Sequence, residues 1–254
     1  MSQPDIFSLV GRTALVTGAN TGIGQGIAVA LASVGADIVA VGRSAPDETA
    51  AMVRAAGRRF HGIEADLGSS SHAGEIVQQA VEHFGAVDIL VNNAGIIRRN
   101  DALEFSESDW DAVMNVNLKT AFFLSQAAAR QMLKLGRGGK IINIASMLSF
   151  QGGIRVVSYT ASKSGIAGMT RILANEWAAK GINVNAIAPG YIATNNTTAL
   201  RNDETRNREI LGRIPAGRWG KPDDLAGATI FLASRASDYV HGTILPIDGG
   251  WLAR

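Results

Sequence analysis

The sequence predicts an α/β fold built on one doubly wound parallel sheet with helices on both faces. Three observations predict it. Short β-branched apolar runs alternate with stretches of helical length along the whole chain. The runs are continuously apolar, as strands covered on both faces are. No linker, internal repeat or low-complexity tract interrupts the alternation, so one domain over residues 1–254 is expected.

The elements follow in order. Residues 13–17 (TALVT) form a first strand, and a glycine loop leads straight into a helical stretch at 24–34. Residues 37–41 (DIVAV) form the second strand, and Ala65-Asp66-Leu67 lies just past a third. The stretches 70–84, 108–135 and 159–179 are rich in Ala, Leu and Gln and of helical length. Between and after them lie the strands 87–91, 140–144, 182–186 and 243–247. Gly136-Arg-Gly-Gly139 ends the longest helical stretch, as C-cap glycines do.

Composition narrows the function classes. Apolar residues make up 46% and charged residues 18%, the balance of a packed protein. Lys plus Arg is 24 and Asp plus Glu 22, with no basic run to attract nucleic acid. There is no cysteine, which removes disulfides, thiolate nucleophiles and Cys-based zinc sites together. His61, His72, His83 and His241 are scattered without metal-ligand spacing, so no metal is expected. Residues 1–11 carry no secretory pattern, and no apolar run approaches the ~18–20 residues of a membrane span. A soluble, cytoplasmic protein is expected.

The loop after the first strand reads Thr17-Gly18-Ala-Asn20-Thr21-Gly22-Ile23-Gly24. Glycines let the backbone approach a pyrophosphate, and the following helix offers free N–H groups. The second strand ends Val41-Gly42-Arg43-Ser44, where a carboxylate would hold the ribose of NAD and an Arg the 2′-phosphate of NADP. Arg43 fits a phosphate or stacks on adenine, so both dinucleotides stay open. Asp66 and Leu67, Asn93-Ala94-Gly95, and Pro189-Gly190-Tyr-Ile192-Ala-Thr194 follow later strands. In an open α/β sheet these loops converge on one crevice.

Tyr159 and Lys163 stand four apart on one helical stretch and so share a face. A free tyrosine, with a pKa of ~10, is a poor base at neutral pH. A Lys ammonium one turn away and an oxidised nicotinamide would both lower it. Ser146 ends the fifth strand and is placed to hydrogen-bond a reacting oxygen, while Asn117 could hold a water that relays protons from Lys163. A Ser–Lys hydrolase using Ser162 or Ser146 is the rival, but it lacks a G-x-S-x-G elbow and leaves the glycine loop unexplained.

Thr17-Gly18-x-x-x-Gly22-x-Gly24, Asn92-Asn93-Ala94-Gly95, Asn117, Ser146, Tyr159-x-x-x-Lys163 and Pro189-Gly190 together resemble the short-chain dehydrogenase/reductase family, over nearly the whole chain. The resemblance implies a Rossmann-type seven-stranded sheet of order 3-2-1-4-5-6-7, NAD or NADP as cofactor, and usually a homotetramer. It also implies Asn117, Ser146, Tyr159 and Lys163 as a catalytic tetrad. Ile96-Ile-Arg98-Arg99, Ser146-Met-Leu-Ser-Phe-Gln-Gly-Gly153, Arg213-Ile-Pro-Ala-Gly-Arg-Trp-Gly220 and Asp248-Gly-Gly-Trp251 resemble more narrowly its sugar-acid dehydrogenases. That implies a substrate of the 2-deoxy-D-gluconate or 2-dehydro-3-deoxy-D-gluconate type. Such an acid needs a cationic partner, and Arg98, Arg99 and Arg155 are the candidates, beside Ser146 and Tyr159. The alternatives are a reductase of another carbonyl, such as a 3-oxoacyl thioester, and a silent dinucleotide sensor.

Overall fold

A computed structural model describes residues 6–254. Residues 1–5 of the N-terminal segment lie outside the described residues. Strands β1 (Thr13–Thr17), β2 (Asp37–Gly42), β3 (Phe60–Glu64), β4 (Ile89–Asn92), β5 (Gly139–Ile144), β6 (Ile182–Pro189) and β7 (Ile244–Ile247) form one sheet. The order is β3-β2-β1-β4-β5-β6-β7, parallel throughout. The main helices are α1 (Gly22–Ser33), α2 (Asp47–Ala55), α3 (Ala73–Phe84), α4 (Glu107–Met114), α5 (Thr120–Lys134) and α6 (Val157–Trp177). After β6 come α7 (Thr198–Asn202), α8 (Glu204–Arg213) and α9 (Ala226–Ala233).

Alternation along each strand feeds two cores, one per sheet face. Ala14 and Val16 of β1 pack with Ile27 and Leu31 of α1 and Leu232 of α9. Leu15, between them, faces the other way, into Val77 of α3, Leu124 and Met132 of α5, and Trp177 of α6. Two buried carboxylates clamp the edge where the strands begin. Asp88 accepts the Thr13 N–H at 3.0 Å and pairs with Arg12 and Arg137. Asp37 pairs with Arg58 and Arg59. This stitching leaves the opposite edge, where the strands end, free to carry loops.

Two departures from the sequence expectations have physical causes. β3 is an edge strand with only Ile63 buried, so it lacks the apolar run that marks the others. The long stretch at 108–135 is α4 and α5 joined by a π-helical turn at Asn115–Lys119. Such turns recur at functional sites, and this one carries Asn117. Met132 of α5 and Trp177 of α6 both pack in the core. Phe123 and Ile172 do remain exposed, at 37% and 51%. No helix among the described residues is long and apolar enough to cross a membrane.

Candidate active site

The loops at the strand ends enclose a cleft of about 1110 Å³. Gly18 and Gly22, with φ of +65° and +59°, turn the chain from β1 into α1. A Cβ on Gly24 would strike the Gly18 carbonyl and the Asn93 amide, so helix and loop meet as closely as backbone allows. Thr21, the residue before α1, makes no side-chain cap, and the first turn holds no acidic residue. The leading N–H groups of α1 are therefore left for an anion. Thr17 locks this loop to the next one: its hydroxyl accepts the N–H groups of Asn93 and Ala94, each at 3.0 Å. The Asn93 amide donates back to the Thr17 and Gly18 carbonyls. This rigid glycine cradle beside an open helix terminus fits a dinucleotide pyrophosphate.

Gly18, Asn20, Thr21, Gly22, Ile23, Gly24, Arg43, Asp66, Leu67, Asn93, Ala94, Gly95, Gly190 and Thr194 all line the cleft, as the sequence predicts. Asn20 crosses from the glycine loop and donates to the Ser44 carbonyl and hydroxyl, which fixes the turn bearing exposed Arg43. One Asp66 oxygen accepts the Gly68 N–H at 2.9 Å, so that carboxylate is already half engaged in its own turn. Two expected residues do not line the cleft. Pro189 closes β6, and Ile192 is buried in the core beneath the loop.

Ser146, Tyr159 and Lys163 meet at the cleft wall. The Ser146 hydroxyl accepts the Leu148 N–H at 3.1 Å, so its own proton is free to donate. Lys163 is buried and donates to the Ile144 carbonyl at 2.6 Å. Its ammonium stands 5.7 Å from the Tyr159 ring centre. Burial pulls Lys163 down to about 8. Burial also pushes the Tyr159 phenol up, against the opposing pulls of the Ser146 hydroxyl and the Arg99 charge. Burial is the largest influence on that phenol, and the Arg99 charge is one the sequence does not indicate. Asn117 sits one layer behind the wall. Its Oδ1 accepts the Ile96 N–H at 2.8 Å, while its Nδ2 donates to the Ile96 carbonyl and the Ser162 hydroxyl. The amide thus pins the loop after β4 to α6, and its hydrogen bonds go to Ile96 and Ser162 rather than to Lys163.

The three arginines singled out from sequence all line the cleft, in different states. Arg98 is spent in an exposed ion pair with Asp109 at 3.1 Å. Arg99 has no acidic partner among the described residues, and its charge reaches both Tyr159 and Tyr191. Arg155 is exposed and holds a left-handed φ of +62°. Its carbonyl accepts the Asn100 N–H, tying two cleft loops together. Sequence reasoning missed Arg206 and Arg213 of α8, which line the same cleft. The only sequence signal was the family-like segment that begins at Arg213.

A family model described as enoyl-(acyl carrier protein) reductase matches residues 18–252. The chain is 64% identical, over 98% of each chain, to the 2-dehydro-3-deoxy-D-gluconate 5-dehydrogenase of Dickeya dadantii. It is 59% identical, again over 98% of each, to the enzyme of that name from Bacillus subtilis. The chain belongs to the short-chain dehydrogenase/reductase family. A crystal structure from Agrobacterium tumefaciens with bound NADP, provisionally named a 2-deoxy-D-gluconate 3-dehydrogenase, superposes with a TM-score of 0.93. Identity there is 60%, covering 98% of this chain and 100% of that one. As a short-chain dehydrogenase/reductase, the protein is an NAD(P)-dependent oxidoreductase acting on CH–OH groups.

Proposed function

We propose that this enzyme transfers a hydride between NAD(P) and a secondary alcohol or ketone of a sugar acid, of the 2-dehydro-3-deoxy-D-gluconate or 2-deoxy-D-gluconate type. The observation that carries this reading is one continuous cleft that runs from the glycine cradle past Tyr159 to walls bearing several arginines. Relatives named for that substrate, at 59% and 64% identity, support it.

In the proposed mechanism, the glycine cradle and the α1 terminus would hold NAD(P), which would supply the hydride acceptor for oxidation and the donor for reduction. Tyr159 takes the hydroxyl proton during oxidation and gives it back during reduction. Ser146 donates its free proton to the same oxygen as charge develops there. Lys163, fixed on Ile144, supplies the nearby positive charge that favours phenolate. Asn117 positions: by gripping Ile96 and Ser162 it holds the wall on which the other three act.

The test compares kcat/KM for hexonates and their keto forms, neutral hexoses and 3-oxoacyl thioesters, followed by the near-ultraviolet absorbance of the reduced cofactor. Acids are expected to win. A preference for thioesters would overturn the substrate reading, since no carboxylate then meets the arginines. Turnover of none of them would favour the silent sensor.

Arg43 carries a cofactor prediction. With no carboxylate beside it at the end of β2, it suits the 2′-phosphate of NADP. Arg43→Ala is expected to weaken NADP use more than NAD use in parallel titrations. Equal weakening would mean that Arg43 only stacks on adenine.

We also propose a cytoplasmic homotetramer. Exposed Phe123 and Ile172, on α5 and α6, lie on the helices that the family resemblance pairs across a two-fold axis. Light scattering at micromolar concentration is expected to give four chains. A stable monomer would contradict the pairing.

A further inference from the structure

Resting on the sugar-acid reading, we propose that Arg213 and the Tyr191 hydroxyl together bind the carboxylate end of the substrate. The three arginines picked out from sequence are not the primary clamp.

Arg213, the last residue of α8, lays its guanidinium over the ring of buried Trp251, 4.1 Å from the ring centre. Trp251 packs with Met147, Ile210 and Ile214, so the platform belongs to a small core of its own. Arg213 Nη2 donates to the side-chain Oε1 of Gln151 at 3.3 Å, a neutral partner. A guanidinium has five N–H donors, and one bond leaves a fork for a carboxylate. Among the described residues Arg213 has no acidic partner, whereas its cleft neighbours Arg98 and Arg206 are paired with Asp109 and Glu209. A positioned arginine with its charge unspent is what an anionic ligand needs.

Tyr191 completes the subsite. Its ring is wedged edge-on between Trp219 and Trp251, with centroids at 5.3 and 4.8 Å. Its hydroxyl has no hydrogen-bond partner among the described residues, and the residue lines the cleft. Burial pushes that phenol up, against the opposing charges of Arg206, Arg213 and Arg99, which all reach it. Arg99 also reaches Tyr159, where its charge is the least of three influences, after burial and the Ser146 hydroxyl. The carboxylate of a sugar acid lies several carbons from the reacting hydroxyl, which favours a partner other than the one beside Tyr159.

The test is steady-state kinetics of the full-length enzyme on a hexonate and on the neutral methyl amide of the same acid. Arg213→Met is expected to raise KM for the acid by about 10–150-fold, the loss of one charge-assisted bond. KM should rise far more than kcat falls, while KM for the amide stays near its wild-type value. Arg213→Lys keeps the charge without the fork and is expected to recover part of the loss. Tyr191→Phe should raise KM for the acid by a smaller factor. An unchanged KM for the acid in Arg213→Met, or equal rises for acid and amide, would overturn the assignment and leave Arg213 as a packing residue. If wild-type enzyme turns over the amide as well as the acid, the sugar-acid reading itself fails, and this subsite with it.

Discussion

Tyr159→Phe is expected to lower kcat by about 10²–10⁴-fold or more while NAD(P) still binds. Among the residues at the wall, Ser146 accepts from Leu148 and in the proposed mechanism only hydrogen-bonds the reacting oxygen, and Lys163 is turned to the Ile144 carbonyl. Tyr159 alone is left to exchange the substrate proton. Phenylalanine keeps the ring and removes the acid. Binding should survive, because the glycine loop, the α1 terminus and the loop after β4 are held by bonds that do not involve the phenol. Stopped-flow turnover and fluorescence titration of reduced cofactor separate the two effects. Retention of more than about a tenth of the rate would contradict the assignment.

Lys163→Met is expected to combine a comparable loss of turnover with a gain in stability near neutral pH. The Lys163 pKa stands at about 8 against an ordinary 10.5, because burial disfavours the ammonium. Between those values the unfolded chain holds a proton that the folded chain has released, so wild-type stability rises with pH across that window. Below it, the full cost of burying the charge is present, of order 3 kcal/mol. Methionine removes that cost and loses the charge-assisted bond to Ile144, worth about 1.5–3 kcal/mol. The variant should therefore melt slightly higher than wild type at neutral pH, and the gap should close as pH rises from about 8 toward 10.5. A lower Tm at neutral pH, with a gap that does not change with pH, would show that the buried ammonium is not destabilising. Function would then retain Lys163 at no cost to the fold.

What could be read from sequence was what a short span of chain determines. Tyr159 and Lys163 share a helical face because one turn separates them, and the glycine loop is recognisable because strand, loop and helix are contiguous. The apolar strands were visible because both faces are buried, and β3 was not because it lies at the sheet edge. Long-range features had no local signal. The π turn at Asn115–Lys119 leaves no mark in the hydrophobic pattern, so the grip of Asn117 on Ile96 could not be foreseen. Met132 and Trp177 look like surplus apolar surface until the second core is seen to need them. Arg213, Gln151 and Trp251 meet only through tertiary packing, whereas Arg98 and Arg99 drew notice merely by following a recognisable loop.

Hydride transfer at the Tyr159 wall underlies every step proposed for this enzyme. The most direct test supplies reduced cofactor carrying deuterium at the transferable position, together with the keto form of the sugar acid. Mass spectrometry of the product is expected to find one deuterium on the newly formed carbinol carbon with wild-type enzyme, and the same label appearing about 10²–10⁴-fold more slowly with Tyr159→Phe. Cofactor that binds without being consumed, or is consumed without label reaching the acid, would contradict it.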